Sequence, residues 1–189
     1  KGCPNLKKSF KWLDDKLIEL INNRIKNDFL DKLMPRFTNL GGVLFTTSLI
    51  LLLILFGNEQ IRFIGIQGAT ALAISQSITY GLKTLLSRER PYNILESLHT
   101  FGIILKDYSF PSGHTSASFS IATTISLTMP RLSIIALVIA LGIGISRIYL
   151  GVHYPTDVVA GIIIGMTSAW VINTYLIIHI KTIIEMIKI

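Results

Sequence analysis

Segments with few or no charged residues constrain the fold of this chain more than any other feature of its sequence. The first, GGVLFTTSLILLLILF, runs from Gly41 to Phe56. With its flanks it reaches the roughly 20 residues that a helix needs to cross a bilayer core. Four more apolar segments follow, at 61–86, 112–129, 132–150 and 157 to about 180. Because a helix satisfies its own backbone hydrogen bonds in lipid, the pattern predicts an all-α, polytopic transmembrane bundle of about five spanning helices.

Composition and charge favour the same class of protein. Half of the 189 residues are hydrophobic and 15% are charged, against about 25% in soluble domains. The net charge is +7, and nine of the eighteen Lys and Arg residues precede position 37. A basic segment before an apolar body favours contact with membrane lipids over binding to nucleic acid, and nothing indicates an obligate protein partner. The single cysteine, Cys3, excludes an intrachain disulfide.

The N-terminal segment from Ser9 to Lys26 is amphipathic. Its apolar residues recur at spacings of three and four, as on one face of a helix: Phe10, Leu13, Leu17, Ile21 and Ile25. We predict that this helix lies in the membrane interface; the alternative is a soluble helix packed on a partner. Residues 1–36 would then form an interfacial segment and 37–189 the membrane domain, with a turn between Pro35 and Gly41.

If all five segments cross the membrane, the end of each even-numbered segment and the start of the next lie at the same membrane face. Three polar clusters lie at that face. The first cluster, KTLLSRERP, brings the cations Lys83, Arg88 and Arg90 to the end of the second segment. Cations that flank a spanning helix often only extend toward the lipid head groups, so this cluster alone does not indicate a site.

The second cluster, SFPSGHTSAS, opens the third predicted helix. Pro111 breaks the chain, Ser112 can cap the helix, and Gly113 lets a ligand approach the backbone closely. Free N–H groups at a helix N-terminus bind anions, and His114 would lie beside an anion held there. An ordinary capped helix with an interfacial histidine is the alternative.

The third cluster, SRIYLGVHYPTD, connects the last two predicted helices. Arg147 ends one helix, Gly151 permits a turn, and His153 and Asp157 are four residues apart. A helical turn would place His153 and Asp157 side by side. A carboxylate bonded to one imidazole nitrogen fixes the tautomer and makes the other nitrogen a better nucleophile. A structural ion pair at the membrane surface is the alternative.

Together the clusters contain the groups of a phosphoryl-transfer site. His153 with Asp157 would be the nucleophile, and His114, which has no carboxylate partner nearby in sequence, the general acid. Three residues, Lys83, Arg90 and Arg147, would stabilise the charge on the phosphoryl oxygens. No residues have metal-ligand spacing, so we expect neither a metal nor another cofactor.

The three motifs resemble those of the type 2 phosphatidic acid phosphatase (PAP2) superfamily over about residues 38 to 180. The family shows Lys, six residues, Arg-Pro; then Pro-Ser-Gly-His; then Ser-Arg, five residues, His, three residues, Asp. The matching positions are Lys83 and Arg90-Pro91; Pro111-Ser112-Gly113-His114; and Ser146-Arg147, His153 and Asp157. The resemblance implies that His153 is the nucleophile, Asp157 its orienting partner and His114 the general acid. It also implies five phosphate-binding residues: Lys83, Arg90, Ser112, Gly113 and Arg147.

The resemblance further implies an integral-membrane lipid phosphatase of a bacterial cell membrane, with a phosphohistidine intermediate and no metal. Undecaprenyl diphosphate is the favoured substrate; phosphatidylglycerophosphate and phosphatidic acid stay open. The alternatives are a lipid phosphotransferase of the same family, a soluble vanadate-dependent haloperoxidase, which the apolar segments disfavour, and a non-catalytic protein that binds or transports lipid phosphates. The family places the site on the outer face, whereas the basic N-terminal segment favours the inner face by the positive-inside rule.

Overall fold

The structure, a computed structural model, describes residues 4–176 together with Thr182 and Met186, with side chains for residues 11–175, Thr182 and Met186. The helices are α1 (Pro4–Glu19), α2 (Asp28–Phe37), α3 (Val43–Phe56), α4 (Glu59–Leu86), α5 (Pro91–Ile94), α6 (Gly113–Thr128), α7 (Ser133–Tyr149) and α8 (Pro155–Val171). Short 3-10 or π-helical turns adjoin four of them, at Leu20–Arg24, Thr38–Gly41, Pro130–Leu132 and Ile172–Leu176. This part of the chain contains no strand, which confirms the all-α prediction.

Helix α6 lies at the centre and packs against α4, α7 and α8. Every residue from Thr115 to Thr124 is buried, although many of them are Ser or Thr. Most of their hydroxyls donate to the preceding turn of the same helix, as Ser118 Oγ does to the His114 carbonyl at 2.8 Å, whereas the Thr123 hydroxyl has no partner. Because protein surrounds α6, a polar helix is tolerated there, and its small side chains let the neighbouring helices approach.

Two glycines bring α8 into close contact with α6. A Cβ atom on Gly161 would lie 2.7 Å from the Ser112 carbonyl oxygen, and one on Gly165 would lie 2.5 Å from that of Ser116. Such a pair, four residues apart, is typical of tightly packed membrane helices. The packing places the start of α8 beside the start of α6, where the Ser112 N–H donates to the Asp157 carbonyl at 3.0 Å.

Two helices of the described chain are long and apolar enough to cross a membrane: Pro130–Tyr149 and Pro155–Tyr175. A third is added if Asp28–Gly41 and Val43–Phe56, bent by 51°, form one span. Five spanning helices therefore stay a prediction. Within the described residues, α3, α4, α6 and α7 begin and end, and α8 begins, within two residues of the boundaries predicted for the five apolar segments. The predicted end of the last helix near Ile180, and the tail after it, lie outside the described residues except for Thr182 and Met186.

The connection between α1 and α3 differs from the prediction. Asn27 caps α2 by accepting from the Leu30 N–H at 2.9 Å. Pro35 lies inside α2, and the turn predicted between Pro35 and Gly41 is the shorter 3-10 turn Thr38–Gly41. Proline lacks one N–H donor and is tolerated here because α2 ends two residues later and passes into the 3-10 turn before Gly42.

The predicted amphipathic N-terminal helix is present as α1, and one side of it docks on the bundle. Ile18 is fully buried against Tyr154 and Val158 of the α7–α8 corner. Leu13 and Leu17, on the predicted apolar face, stay exposed, as does the neighbouring Trp12. A location of this exposed face in the membrane interface stays a prediction.

Candidate active site

The three polar clusters meet at one end of the bundle, as the alternation of the helices predicts. Arg90 of the first cluster has its Nη1 3.5 Å from Nε2 of His153 in the third. Ser112 of the second cluster is hydrogen-bonded to Asp157 of the third. The site is thus built from the C-terminal ends of α4 and α7 and the N-terminal ends of α6 and α8.

His153 lies in the tight corner between α7 and α8. Gly151 allows this corner, because its φ of +68° is a conformation that residues with a side chain rarely adopt. The His153 ring is buried, and its Nδ1 lies 3.5 Å from Asp157 Oδ2, too far for a good hydrogen bond. That carboxylate oxygen instead accepts from the Tyr154 N–H at 2.9 Å and so caps α8. The sequence correctly places Asp157 beside His153, but the expected hydrogen bond is not formed.

The surroundings of His153 keep its imidazole neutral. Burial lowers its pKa well below the usual range, and the positive charges of Arg147, Arg90 and Lys83 lower it further. A neutral imidazole retains a lone pair, which a nucleophile or a general base needs. The Nε2 atom, the one near Arg90, is therefore the atom that can react.

Three of the predicted cations surround this imidazole, but their donors are not equally available. Arg90 donates from Nη1 to the Val152 carbonyl at 2.8 Å and from Nε to the Asp107 carbonyl at 2.8 Å. Arg147 donates from Nη1 to Thr38 Oγ1 at 3.0 Å, whereas its buried Nε has no hydrogen-bond partner. Of these two arginines, Arg147 therefore keeps an uncommitted donor.

Asp107 binds two of the predicted phosphate-binding cations and was not singled out from the sequence. Its Oδ2 accepts from Lys83 Nζ and its Oδ1 from Arg90 Nη2, both at 2.6 Å. Burial raises the pKa of Asp107, but the hydrogen bond from Lys83 and the charge of Arg90 outweigh this and lower it to about 2. The carboxylate is thus ionised and occupies donors that an anionic ligand would need. Its only sequence signal is an acidic residue in the loop before the second cluster.

The start of α6 provides backbone rather than side-chain groups. Ser112 is the N-cap residue, as predicted, but its side chain makes no capping bond. Its buried hydroxyl accepts from Thr115 Oγ1 at 2.8 Å. A Cβ on Gly113 would meet its nearest protein atom at an ordinary 3.6 Å, so packing does not require glycine there. This fits a glycine that leaves room for a ligand at the helix N-terminus.

A cavity of about 730 Å³ opens at these groups. Its polar end is lined by Lys83, Arg90, Gly113, His114, Arg147 and His153, whereas Ser112 and Asp157 lie behind its wall. From there the cavity continues as an apolar cleft between α3 and α4, lined among others by Ile50, Leu51, Ala69, Leu72 and Ala73. The arrangement can hold an anionic head group at the cations and an apolar tail between the helices.

Arg88, the remaining cation of the first cluster, lies outside this cavity. It donates from Nη1 to Asp157 Oδ1 at 2.7 Å and from Nη2 to Asp14 Oδ2 at 2.8 Å. Asp14 was missed from the sequence, although it lies four residues before the buried Ile18 on α1 and so on the docked face. Its sequence signal is a carboxylate followed by apolar residues at helical spacings of three, four and seven: Leu17, Ile18 and Ile21.

Sequence comparison supports one family. The profile of the PAP2 superfamily matches residues 65–179, more than half of the chain. The bacitracin transport permease protein BcrC of Bacillus licheniformis is 33% identical, covering 75% of this chain and 66% of that protein. The undecaprenyl-diphosphatase of Sulfolobus acidocaldarius is 32% identical, with 79% and 71% covered. The undecaprenyl-diphosphatase BcrC of Bacillus subtilis is 32% identical, with 74% and 72% covered. The chain thus spans about two thirds of the length of these relatives.

Solved structures agree with the sequence comparison. LpxE of Aquifex aeolicus superposes with a TM-score of 0.77 at 32% identity, covering 86% of this chain and 96% of that one. The transmembrane PAP2-type phosphatidylglycerolphosphate phosphatase of Bacillus subtilis superposes with a TM-score of 0.74 at 26% identity, covering 88% and 86%. Sequence profile, identity over most of the chain and shared fold all lead to the same conclusion: the chain belongs to the PAP2 superfamily.

Proposed function

We propose that this protein is a lipid phosphatase of the membrane that works through a phosphohistidine on His153. The observation that carries the proposal is the neutral, buried His153 imidazole, whose Nε2 lies near Arg90 at the polar end of a cavity that continues into an apolar cleft. A soluble phosphate ester would not need the cleft, and a protein that only binds phosphate would not need the nucleophile.

The proposed reaction has two steps. His153 Nε2 attacks phosphorus and the bond from phosphorus to the leaving oxygen breaks. His114, which takes up a proton when the negative charge of the bound phosphate offsets the surrounding cations, gives that oxygen its proton. His114, now neutral, accepts a proton from water, whose oxygen attacks phosphorus and releases phosphate from His153. Asp157 stabilises the positive ring that forms on phosphorylation. Charge on the phosphoryl oxygens is stabilised by Lys83, Arg90, Arg147 and the N–H group of Gly113, so the proposal needs no metal. Ser112, whose N–H donates to the Asp157 carbonyl, instead holds the start of α6 against α8.

We propose undecaprenyl diphosphate as the first substrate to test. The cleft between α3 and α4 fits an apolar tail, and two of the relatives are named undecaprenyl-diphosphatase. Phosphatidylglycerophosphate follows, because the Bacillus subtilis structure is a phosphatase of that lipid, and phosphatidic acid presents the same chemistry. Transport is the second candidate function, because the Bacillus licheniformis relative is named a transport permease protein, and the cavity would fit a lipid phosphate as its cargo.

The first experiment measures phosphate release by the purified protein in detergent with EDTA, from each of the three lipids. We expect release that persists in EDTA and is abolished in His153→Ala, because no other group replaces the nucleophile. His99→Ala is the matched control, since this histidine is exposed and does not line the cavity. Release by His153→Ala at the rate of the parent would rule out the phosphohistidine, and lipid binding without any release would favour transport.

The location of the protein is also part of the proposal. We propose a bacterial cell membrane with the site facing outward, residues 1–36 at the interface and residues 37–189 as the phosphatase domain. In a cysteine-free background, a membrane-impermeant thiol reagent should label Ser97→Cys, near the site, in intact cells and not Gln60→Cys at the opposite end. The reverse labelling would place the site at the cytoplasmic face.

A further inference from the structure

We infer that Asp14 of helix α1 is a positioning residue for the His153–Asp157 pair, acting through Arg88 and the first turn of α8. The inference rests on the proposed role of His153. It concerns a carboxylate of the N-terminal segment, which lies far from the three motifs in sequence and outside the cavity.

Asp14 caps α8 from another helix. It is 3% exposed, and its Oδ1 accepts from the Thr156 N–H at 3.0 Å. Its Oδ2 accepts from the Thr156 hydroxyl at 2.5 Å. Thr156 is the second residue of α8, and its N–H is among those that have no partner within a helix. Asp14 therefore holds the turn from which the next residue, Asp157, extends toward His153.

Arg88 joins Asp14 to Asp157. Its guanidinium donates to Asp157 Oδ1 at 2.7 Å, to Asp14 Oδ2 at 2.8 Å and to Thr156 Oγ1 at 2.8 Å. It also lies over the Tyr154 ring, 4.0 Å from the centroid. The guanidinium thus contacts α1, α8 and the corner before α8. These contacts fix its position, and in that position it orients the Asp157 carboxylate.

The charges of Asp14, Arg88 and Asp157 explain why a second carboxylate, that of Asp14, is useful beside Asp157. Arg88 alone would neutralise Asp157 and weaken its attraction for a positive His153 ring. Asp14 adds a negative charge, so the three ionised side chains together carry a net charge of −1. That charge faces His153 through Asp157 Oδ2, which lies 3.5 Å from Nδ1. Phosphorylation of His153 makes the ring positive, and the net negative charge stabilises that state more than the neutral ring.

The test compares Asp14→Asn, Arg88→Gln and the double variant Asp14→Asn/Arg88→Gln with the parent protein on the preferred lipid. Asp14→Asn should lower kcat by about tenfold, equivalent to about 1.4 kcal/mol, with little change in KM. The double variant restores the net charge of −1, so its kcat should exceed that of Asp14→Asn severalfold. Glu19→Gln is the matched control, because it removes an exposed carboxylate from the same helix.

The outcomes separate this inference from the proposed function. Parental kcat in Asp14→Asn overturns the inference and leaves the phosphatase proposal intact. A double variant no more active than Asp14→Asn overturns the charge argument, because the restored net charge of −1 then has no effect that exceeds the lost positioning of Asp157 by Arg88. Absence of phosphate release by the parent protein from any lipid overturns the proposed function, and the positioning role with it.

Discussion

At the scale of the residue, the cations of the motifs have three different environments. Arg147 has a buried Nε without a partner, Lys83 and Arg90 share the Asp107 carboxylate, and Arg88 binds Asp157 behind the cavity. Sequence spacing treats all four as equivalent positive charges. The contacts predict that a phosphate entering the cavity meets Arg147 directly and competes with Asp107 for Lys83 and Arg90.

Competition by Asp107 leads to a prediction for Asp107→Asn. An amide is a weaker acceptor than an ionised carboxylate, so Lys83 and Arg90 become more available to an anion. We expect inorganic phosphate to inhibit the variant more strongly, with an inhibition constant about tenfold lower, which corresponds to about 1.4 kcal/mol. Steady-state inhibition measured at neutral pH, where Asp107 is ionised, checks this.

The control for Asp107 is Glu96→Gln, which removes an exposed carboxylate from the same loop and should leave inhibition unchanged. Weaker inhibition of Asp107→Asn would contradict the prediction. It would mean that Asp107 holds the two cations in position for phosphate instead of competing with it.

At the scale of the element, contact between α6 and α8 determines where His114, His153 and Asp157 lie relative to one another. Gly161 and Gly165 let the two helices approach so closely that a side chain on either would meet backbone oxygens of α6. Asp157 lies in the first turn of α8. A displacement of this helix at Gly165 is therefore transmitted along the rigid helix to Asp157. Docking of α1 through Asp14 and Ile18 acts on the same end of α8.

Substitution of Gly165 by alanine should therefore destabilise the protein. The added Cβ would lie 2.5 Å from the Ser116 carbonyl oxygen and 2.9 Å from Phe119 Cβ, so one helix must move. We expect a loss of about 1–3 kcal/mol, the usual cost of overpacking a well-packed interior, seen as a lower unfolding temperature in detergent.

Gly68→Ala is the matched control for Gly165, because this buried glycine of α4 has no atom within 4 Å of an added Cβ. Alanine there should keep or raise the unfolding temperature, since it favours helix by about 1 kcal/mol over glycine. An equal loss in both variants would show that close contact with α6 is not the cause.

At the scale of the whole molecule, one cavity joins the charged end of the bundle to its apolar interior. The cleft reaches Ala69 on α4, fourteen residues before Lys83, which corresponds to about 21 Å along a helix. α3 leaves the cleft open to lipid at its sides, with exposed residues such as Leu51. Helix α4 thus lines both ends of the cavity, with Lys83 at the charged end and Ala69 at the apolar end.

Blocking the deep end of the cleft should separate long-tailed from short-tailed substrates. We predict that Ala69→Phe lowers phosphate release from a lipid with a long tail about tenfold or more, because a phenyl ring fills the path of the tail. A water-soluble short-chain phosphate ester should be hydrolysed at the parental rate. Ile78→Phe on the same helix, which does not line the cavity, is the control. Equal loss on both substrates would mean that the ring perturbs the catalytic end instead.

Hydrophobic segments and local motifs were sufficient to predict much of this molecule. The apolar segments predicted α3, α4, α6, α7 and α8, because burial in lipid or protein depends on runs of residues that are visible in sequence. Their alternation predicted that Lys83, His114 and His153 meet at one end. The motif spacings predicted the family, since each spacing reflects one helix end or one turn.

Only the tertiary structure decided how those groups pair. Asp14 reaches Arg88 across 74 positions and Asp107 reaches Lys83 across 24, and no local pattern encodes such contacts. The His153–Asp157 pair is held at 3.5 Å and without a hydrogen bond because Asp157 caps α8 by accepting from the Tyr154 N–H. Spacing cannot decide which of these two nearby donors, the Tyr154 N–H or His153 Nδ1, the carboxylate oxygen takes. Sequence by itself determined which elements form and which end of the bundle is charged, because those depend on burial and chain alternation. The direction of each side chain depends on packing between distant elements, so the folded structure alone assigns each charge its partner.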